Sequence, residues 1–209
     1  MLVRAGGTQM IRLLTSIKRF ARDRRGVAAI EFAFIAPVLL VMYFITMEFS
    51  QAIETSKKVS RLGSMVADLV TQQPAVTDTD LKNIMKIGDT TLRPYHRSTP
   101  TIAITAIQIG SAPAKKATVL WSIQGTGTTY VKVAAKDSEV TNLPTALKVA
   151  DTFLIRVNST LTYTPVIAWA ADGKKALGLV SAFSEISMGE TYYLRPRRSQ
   201  SIACTGCPT

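Results

Sequence analysis

Three hydrophobic patterns succeed one another along the chain. The first is the unbroken run Val-Ala-Ala-Ile-Glu-Phe-Ala-Phe-Ile-Ala-Pro-Val-Leu-Leu-Val-Met-Tyr-Phe-Ile-Thr-Met, residues 27–47, in which only Glu31 is charged. At helical rise this run reaches roughly 30 Å, the thickness of one bilayer core. Pro37 would disturb a soluble helix, but a membrane helix tolerates it. The second pattern keeps a three-to-four spacing: Phe49, Ala52/Ile53, Val59, Leu62, Val66 and Leu69/Val70. It predicts that the helix continues with one apolar face to about Gln72, supported by the i,i+4 pair Glu54–Lys58. Gln73-Pro74 should end it. A second short helix is expected from Asp78 to near Gly88, with the aspartate as N-cap and the glycine as C-cap.

From Pro100 the period changes to two. Thr101–Ile109 is rich in isoleucine, and Val119, Trp121 and Ile123 alternate with polar residues. Gly125-Thr-Gly127 reads as a turn into Tyr130–Val133. The clearest strand is Thr152–Tyr163: Phe153, Ile155, Val157, Leu161 and Tyr163 face one way, and Arg156, Asn158, Thr160 and Thr162 face the other. Thr191–Leu194 reads as a last short strand. Val166–Met188 stays open between helix and hairpin around an Asp172-Gly173 turn. The fold class is therefore α+β, with an N-terminal transmembrane helix that extends into an exported helix and packs on a small, mainly antiparallel sheet. This divides the chain into a basic leader (1–26), a membrane helix (27–47), a helical stalk with a short second helix (48–99) and a β-rich domain (100–209).

Charge sharpens the membrane reading. The chain of 209 residues carries a formal charge of +11. Seven basic side chains (Arg4, Arg12, Lys18, Arg19, Arg22, Arg24, Arg25) stand against Asp23 within residues 1–26, so over half the excess precedes the apolar run. Within the leader, Met10–Phe20 spaces apolar residues between bases as a surface-lying amphipathic helix would. Lys and Arg ahead of a span follow the positive-inside rule, which places the N-terminus in the cytoplasm and exports everything after Met47. Nucleic-acid binding would instead need a basic patch on a folded module, and none is legible.

Candidate chemistry is sparse. Two cysteines and one histidine cannot supply a four-ligand metal site without carboxylates, so no metal and no cofactor are expected. His96 lies in the turn-like Arg-Pro-Tyr-His-Arg with no nucleophile motif beside it. Asp78 and Asp80 look like helix caps, so no catalytic residue is assigned and no enzyme is expected. Cys204-Thr-Gly-Cys207 has the spacing of a redox motif, but such motifs open a helix and Pro208 follows at once. A structural disulfide in an oxidising compartment is the expectation, with modest stabilisation from so short a loop. Arg195, Arg197 and Arg198 read as a solvated strand end, and Asn158-Ser-Thr160 as a chance sequon.

The most informative stretch is Arg24-Arg25-Gly26-Val27-Ala28-Ala29-Ile30-Glu31-Phe32. A carboxylate inside the first turns of a membrane span is unfavourable unless it is paired. If the chain were cut after Gly26, Val27 would gain an ammonium, and Glu31 would be the fifth residue of the new chain. The two would attract strongly in apolar surroundings, most usefully between neighbouring subunits.

This junction resembles that of type IV pilins and pseudopilins: basic leader, glycine, four residues, glutamate, aromatic residue, apolar helix. Its wording from Arg24 to Leu40, Pro37 included, is similar to TadE-like proteins of the tight-adherence (Flp pilus) system. Tyr163-Thr-Pro165 and Tyr192-Tyr-Leu-Arg195-Pro-Arg197 look like that family's closing pattern. The resemblance implies cleavage between Gly26 and Val27 by an aspartyl prepilin peptidase. Arg24, Arg25, Glu31 and Phe32 would form the processing and assembly motif. It also implies a place among other pilin or pseudopilin subunits and the pilus assembly machinery at the inner membrane. The long leader and the β-rich exported domain point to a minor subunit rather than a bulk filament protein. Two alternatives remain beside it: an uncleaved signal-anchored envelope binding module, and a signal-peptidase cut near Ser50-Gln51-Ala52.

Overall fold

The computed structural model describes residues 26–165 and 186–207. The leader with Arg24 and Arg25, the Asp172-Gly173 turn and Pro208 lie outside the described residues. The chain divides into two compact units, residues 1–47 and 48–209. In the first, the apolar run is helical throughout, as the N-terminal part of helix α1 (Val27–Thr71), which carries Pro37 inside it. Thr46 turns its hydroxyl back to the Met42 carbonyl at 2.8 Å, so the polar group is satisfied within the helix.

In the second unit, residues 48–71 of α1 bury the face that the spacing foretold. Leu62, Val66, Ala67 and Val70 pack into one core with Ile102, Ile104, Ala106, Trp121, Ile123, Ile155 and Val157. α1 ends at Thr71 in a tightened turn, where the Gln73 amide donates to the Val70 carbonyl at 3.2 Å. The chain then forms strand β1 (Ala75–Thr77), helix α2 (Asp78–Met85) and the short helix α3 (Ile87–Thr91). The caps of α2 differ from those expected. Thr77, not Asp78, is the N-cap, in a capping box with Asp80, and Lys86 rather than Gly88 is the C-cap. The Thr77 hydroxyl and amide both donate to the Asp80 carboxylate, which lowers its pKa. Gly88 falls inside α3, where a Cβ would stand 3.1 Å from Ile102 Cδ1.

The remaining strands are β2 (Thr101–Ile109), β3 (Ala117–Thr126), β4 (Thr129–Val131), β5 (Phe153–Tyr163) and β6 (Ile186–Leu194). They form an antiparallel sheet in the order β4-β3-β2-β5-β6. The last strand, expected from Thr191, begins at Ile186, inside the stretch that was open between helix and hairpin. Alternation in β3 is interrupted. Ala106 pairs with Trp121 while Ile107 pairs with Val119, so Leu120 is an extra residue on β3. Such a bulge reverses which face the alternate residues meet. Trp121 and Ile123 therefore face α1, whereas Ala117 and Val119 join Ile107, Ile109, Val140, Leu143 and Leu154 in a separate cluster. Val119, expected beside Trp121, lies on the opposite face for this reason.

The C-terminal end returns to the helix. Strand β7 (Ala203–Thr205) pairs in parallel with β1, a two-stranded element that no local pattern announced. Trp121 Nε1 donates to the Ile202 carbonyl at 2.8 Å. Arg197, expected to be merely solvated, forms a 2.7 Å ion pair with Asp68, and its amide donates to the Thr71 carbonyl at 3.0 Å.

Candidate functional site

The junction residues begin the described chain. Among the described residues, no atom lies within 4 Å of where a Cβ on Gly26 would stand. Val27 opens α1, and Glu31 follows it by four residues, one turn along the helix. Glu31 and Phe32 are both exposed, Phe32 by 68%. No residue from Val27 to Met47 is fully buried, although Ile30, Phe34, Ile35, Leu39, Leu40 and Phe44 are large and apolar. A core helix of a water-soluble protein would cover such a surface, so this one needs an apolar surrounding. In length and composition it can cross a membrane once.

A second constellation, which no local pattern announces, lies at the start of the other unit. Glu48, the residue directly after the apolar run, is 1% exposed. It accepts a 2.5 Å hydrogen bond from the hydroxyl of Tyr163, which is fully buried at the end of β5. Burial raises the pKa of that hydroxyl above the ordinary tyrosine range. The Glu48 hydrogen bond and charge raise it further, and Arg97 opposes them. Tyr95 stacks on Tyr163 with ring centroids 5.4 Å apart. The Arg97 guanidinium lies 4.8 Å from the Tyr95 ring centre, donates from Nε to the Thr164 carbonyl at 2.8 Å, and reaches Gln51 at 3.2 Å. Residues 92–98 are thereby tied both to α1 and to the end of β5.

His96 is exposed, with Nδ1 2.8 Å from the Pro94 carbonyl. Cys204 and Cys207 are joined by a disulfide, with Cα atoms 5.7 Å apart, and they close the loop that leaves β7. Among the described residues no group of three or more His, Cys, Asp or Glu side chains gathers as a metal site would need. The candidate residues thus fall in separate places. Gly26, Val27, Glu31 and Phe32 are contiguous at the start of α1, and the cysteines belong to the other unit. The burial of Glu48 has no local signal in the sequence, and Tyr163 lies 115 residues away along the chain.

Comparison with known families bears directly on the junction. Residues 26–67 match the family model described as TadE-like protein. The matched segment holds Gly26, Glu31, Pro37 and the first buried turns of α1, and it agrees with the resemblance read from the sequence. No curated protein and no solved structure matches the chain.

Proposed function

We propose that this chain, which carries a TadE-like segment on a single-pass apolar helix, is a minor pilin or pseudopilin acting in Flp pilus assembly and adherence. The observation that carries the reading is the family match over residues 26–67, which contains the glycine–glutamate junction and the helix behind it. In this reading a prepilin peptidase cuts between Gly26 and Val27, with Arg24 and Arg25 on the cytoplasmic side. The matured helix stays in the bacterial inner membrane among other pilin helices, and the unit from Glu48 onward is periplasmic. Its unburied apolar surface is what a helix surrounded by lipid and by other apolar helices requires. The chain's work is assembly and not catalysis, and it needs no cofactor and no nucleic acid.

Co-expression with a prepilin peptidase tests this. The intact mass of the purified protein should fall by residues 1–26, and Gly26→Leu should block the change by filling the space the peptidase needs. Retention of Met1 beside an active peptidase would sink the pilin reading. It would favour an uncleaved anchor presenting an envelope-binding module, a reading to which the β-rich sheet beyond the matched segment lends support.

A further inference from the structure

Lys57, Lys58 and Arg61 fall within one sector of about 100° on α1, at 100° per residue. Lys58 donates to the Arg93 carbonyl at 2.9 Å and pairs with Glu54 at 2.9 Å. This sets the segment carrying Arg93 and Arg97 against the same helix face. Lys58, Arg97, Tyr95 and Gln51 line a cleft of about 290 Å³ there, with Glu54 also on its wall. Lys57, Arg61 and Arg93 are exposed, and the one exposed carboxylate on this stretch of α1, Glu54, is already taken by Lys58. We propose that this basic face binds the headgroups of anionic phospholipids in the bilayer that the chain's own helix spans. The proposal rests on the single-pass anchoring reading.

The order of residues along α1 favours a lipid over an acidic protein. Phe49 and Ile53 are exposed by 57% and 42%, and Lys57 continues the same i,i+4 stripe. Exposed apolar residues give way to a base as the helix moves away from Met47. That is the order in which a bilayer passes from hydrocarbon to headgroup. Lys57 follows Met47 by ten residues, about 15 Å of helix. Helical side chains lean toward the N-terminus, so its long arm leans toward the Met47 end of its own helix. Arg97 is held by Thr164, Gln51 and Tyr95 and gives the face a fixed cation, while Lys57, Arg61 and Arg93 supply adaptable ones. Each base close to an anionic surface strengthens attachment by about fivefold.

The test uses the full-length protein in lipid nanodiscs, with hydrogen exchange read over residues 53–61 and 92–98. Discs of phosphatidylcholine alone are compared with discs containing about one third phosphatidylglycerol. We expect exchange in both segments to slow at least fivefold in the anionic discs. The slowing should disappear in 0.5 M salt and in the triple variant Lys57→Glu/Arg61→Glu/Arg93→Glu, which spares Lys58 and Arg97. Equal exchange in the two lipids would overturn the proposal. So would equal protection by inorganic phosphate in neutral discs, which would mark a soluble anion, or protection by polyglutamate alone, which would mark an acidic protein. Entry into neutral discs depends only on the apolar helix. Failure at that step would remove the anchoring premise before any headgroup is varied, and the proposal with it.

Discussion

At the scale of single residues, the buried pair Glu48–Tyr163 decides more than its size suggests. A carboxylate that is 1% exposed has lost most of its water, and the tyrosine hydroxyl restores one hydrogen bond to it. Tyr163→Phe keeps the ring and its stacking on Tyr95 but removes that donor. The expected loss is about 1–3 kcal/mol, the worth of one buried hydrogen bond to a charged group. Thermal unfolding of the detergent-solubilised protein measures it, and an unchanged midpoint would refute the assignment. The same pair gives a pH dependence with a definite sign. The folded pKa of Tyr163 is raised above its unfolded value near 10. The stabilisation is therefore whole below about pH 10 and is lost as pH rises through the folded value. The wild type should lose stability above about pH 10 more steeply than Tyr163→Phe, which has no hydroxyl to ionise there. Parallel alkaline limbs for the two proteins would contradict this.

At the scale of elements, the contact between α1 and the sheet turns on Gly63. A Cβ there would stand 2.6 Å from Ser159 Oγ and 3.0 Å from the Tyr192 ring. Neither neighbour is free to move. Ser159 donates to the Val59 carbonyl at 3.0 Å, and the Tyr192 hydroxyl is bonded to Ser60 at 2.6 Å. Helix propensity favours alanine over glycine by about 1 kcal/mol, while overpacking in a fixed contact costs about 1–3 kcal/mol. The clash should win, and Gly63→Ala should lower the unfolding midpoint. Ser159→Ala in the same chain should restore part of it by removing the nearer atom. A raised midpoint for Gly63→Ala alone would show that the contact relaxes. The elements that sequence reading found are those whose signal is local and repeated: α1 by its three-to-four spacing, β2 by its isoleucines, β5 by strict alternation. Those it missed depend on distant partners. β1 and β7 are three residues each and exist because they meet 128 positions apart, Ala75 against Ala203. Leu120 looks like any residue of an alternating strand, and only pairing with β2 exposes it as the extra one. At the junction the signal is local, because glycine, glutamate and the apolar run are adjacent, and the family match covers the same residues. The Glu48–Tyr163 pair was hidden, because burial of an acid cannot be seen without the fold.

At the scale of the whole molecule, the proposed function requires that the charge imbalance before Val27 set the orientation, and an alkaline phosphatase fused after Thr209 should then be active. An inactive fusion would reverse the topology. Glu31 raises the harder question of what fixes one such chain among others. In lipid, apolar helices have little hydrophobic reason to prefer one vertical offset over another, and packing and polar contacts must choose it. Glu31 is an acid on an exposed face, one turn inside the apolar run. Cleavage after Gly26 would create an α-ammonium on Val27, one turn away on the same helix. Between chains, the two charges meet only when neighbouring helices are offset to bring them level. Sliding by a further turn would leave both unpaired in hydrocarbon, at a cost of several kcal/mol. The pair would act as a register mark for assembly, while contributing little to the fold of any single chain. Glu31→Gln retains shape and a hydrogen-bonding amide but removes the charge. It should leave peptidase cleavage and membrane insertion largely intact and reduce association with partner pilins by at least tenfold. Crosslinking and co-purification of the processed variant measure this, beside a piliation or adherence assay. Normal association of processed Glu31→Gln would mean that the carboxylate sets no register, and the chain would then be better read as a plain anchor for the unit that follows its apolar run.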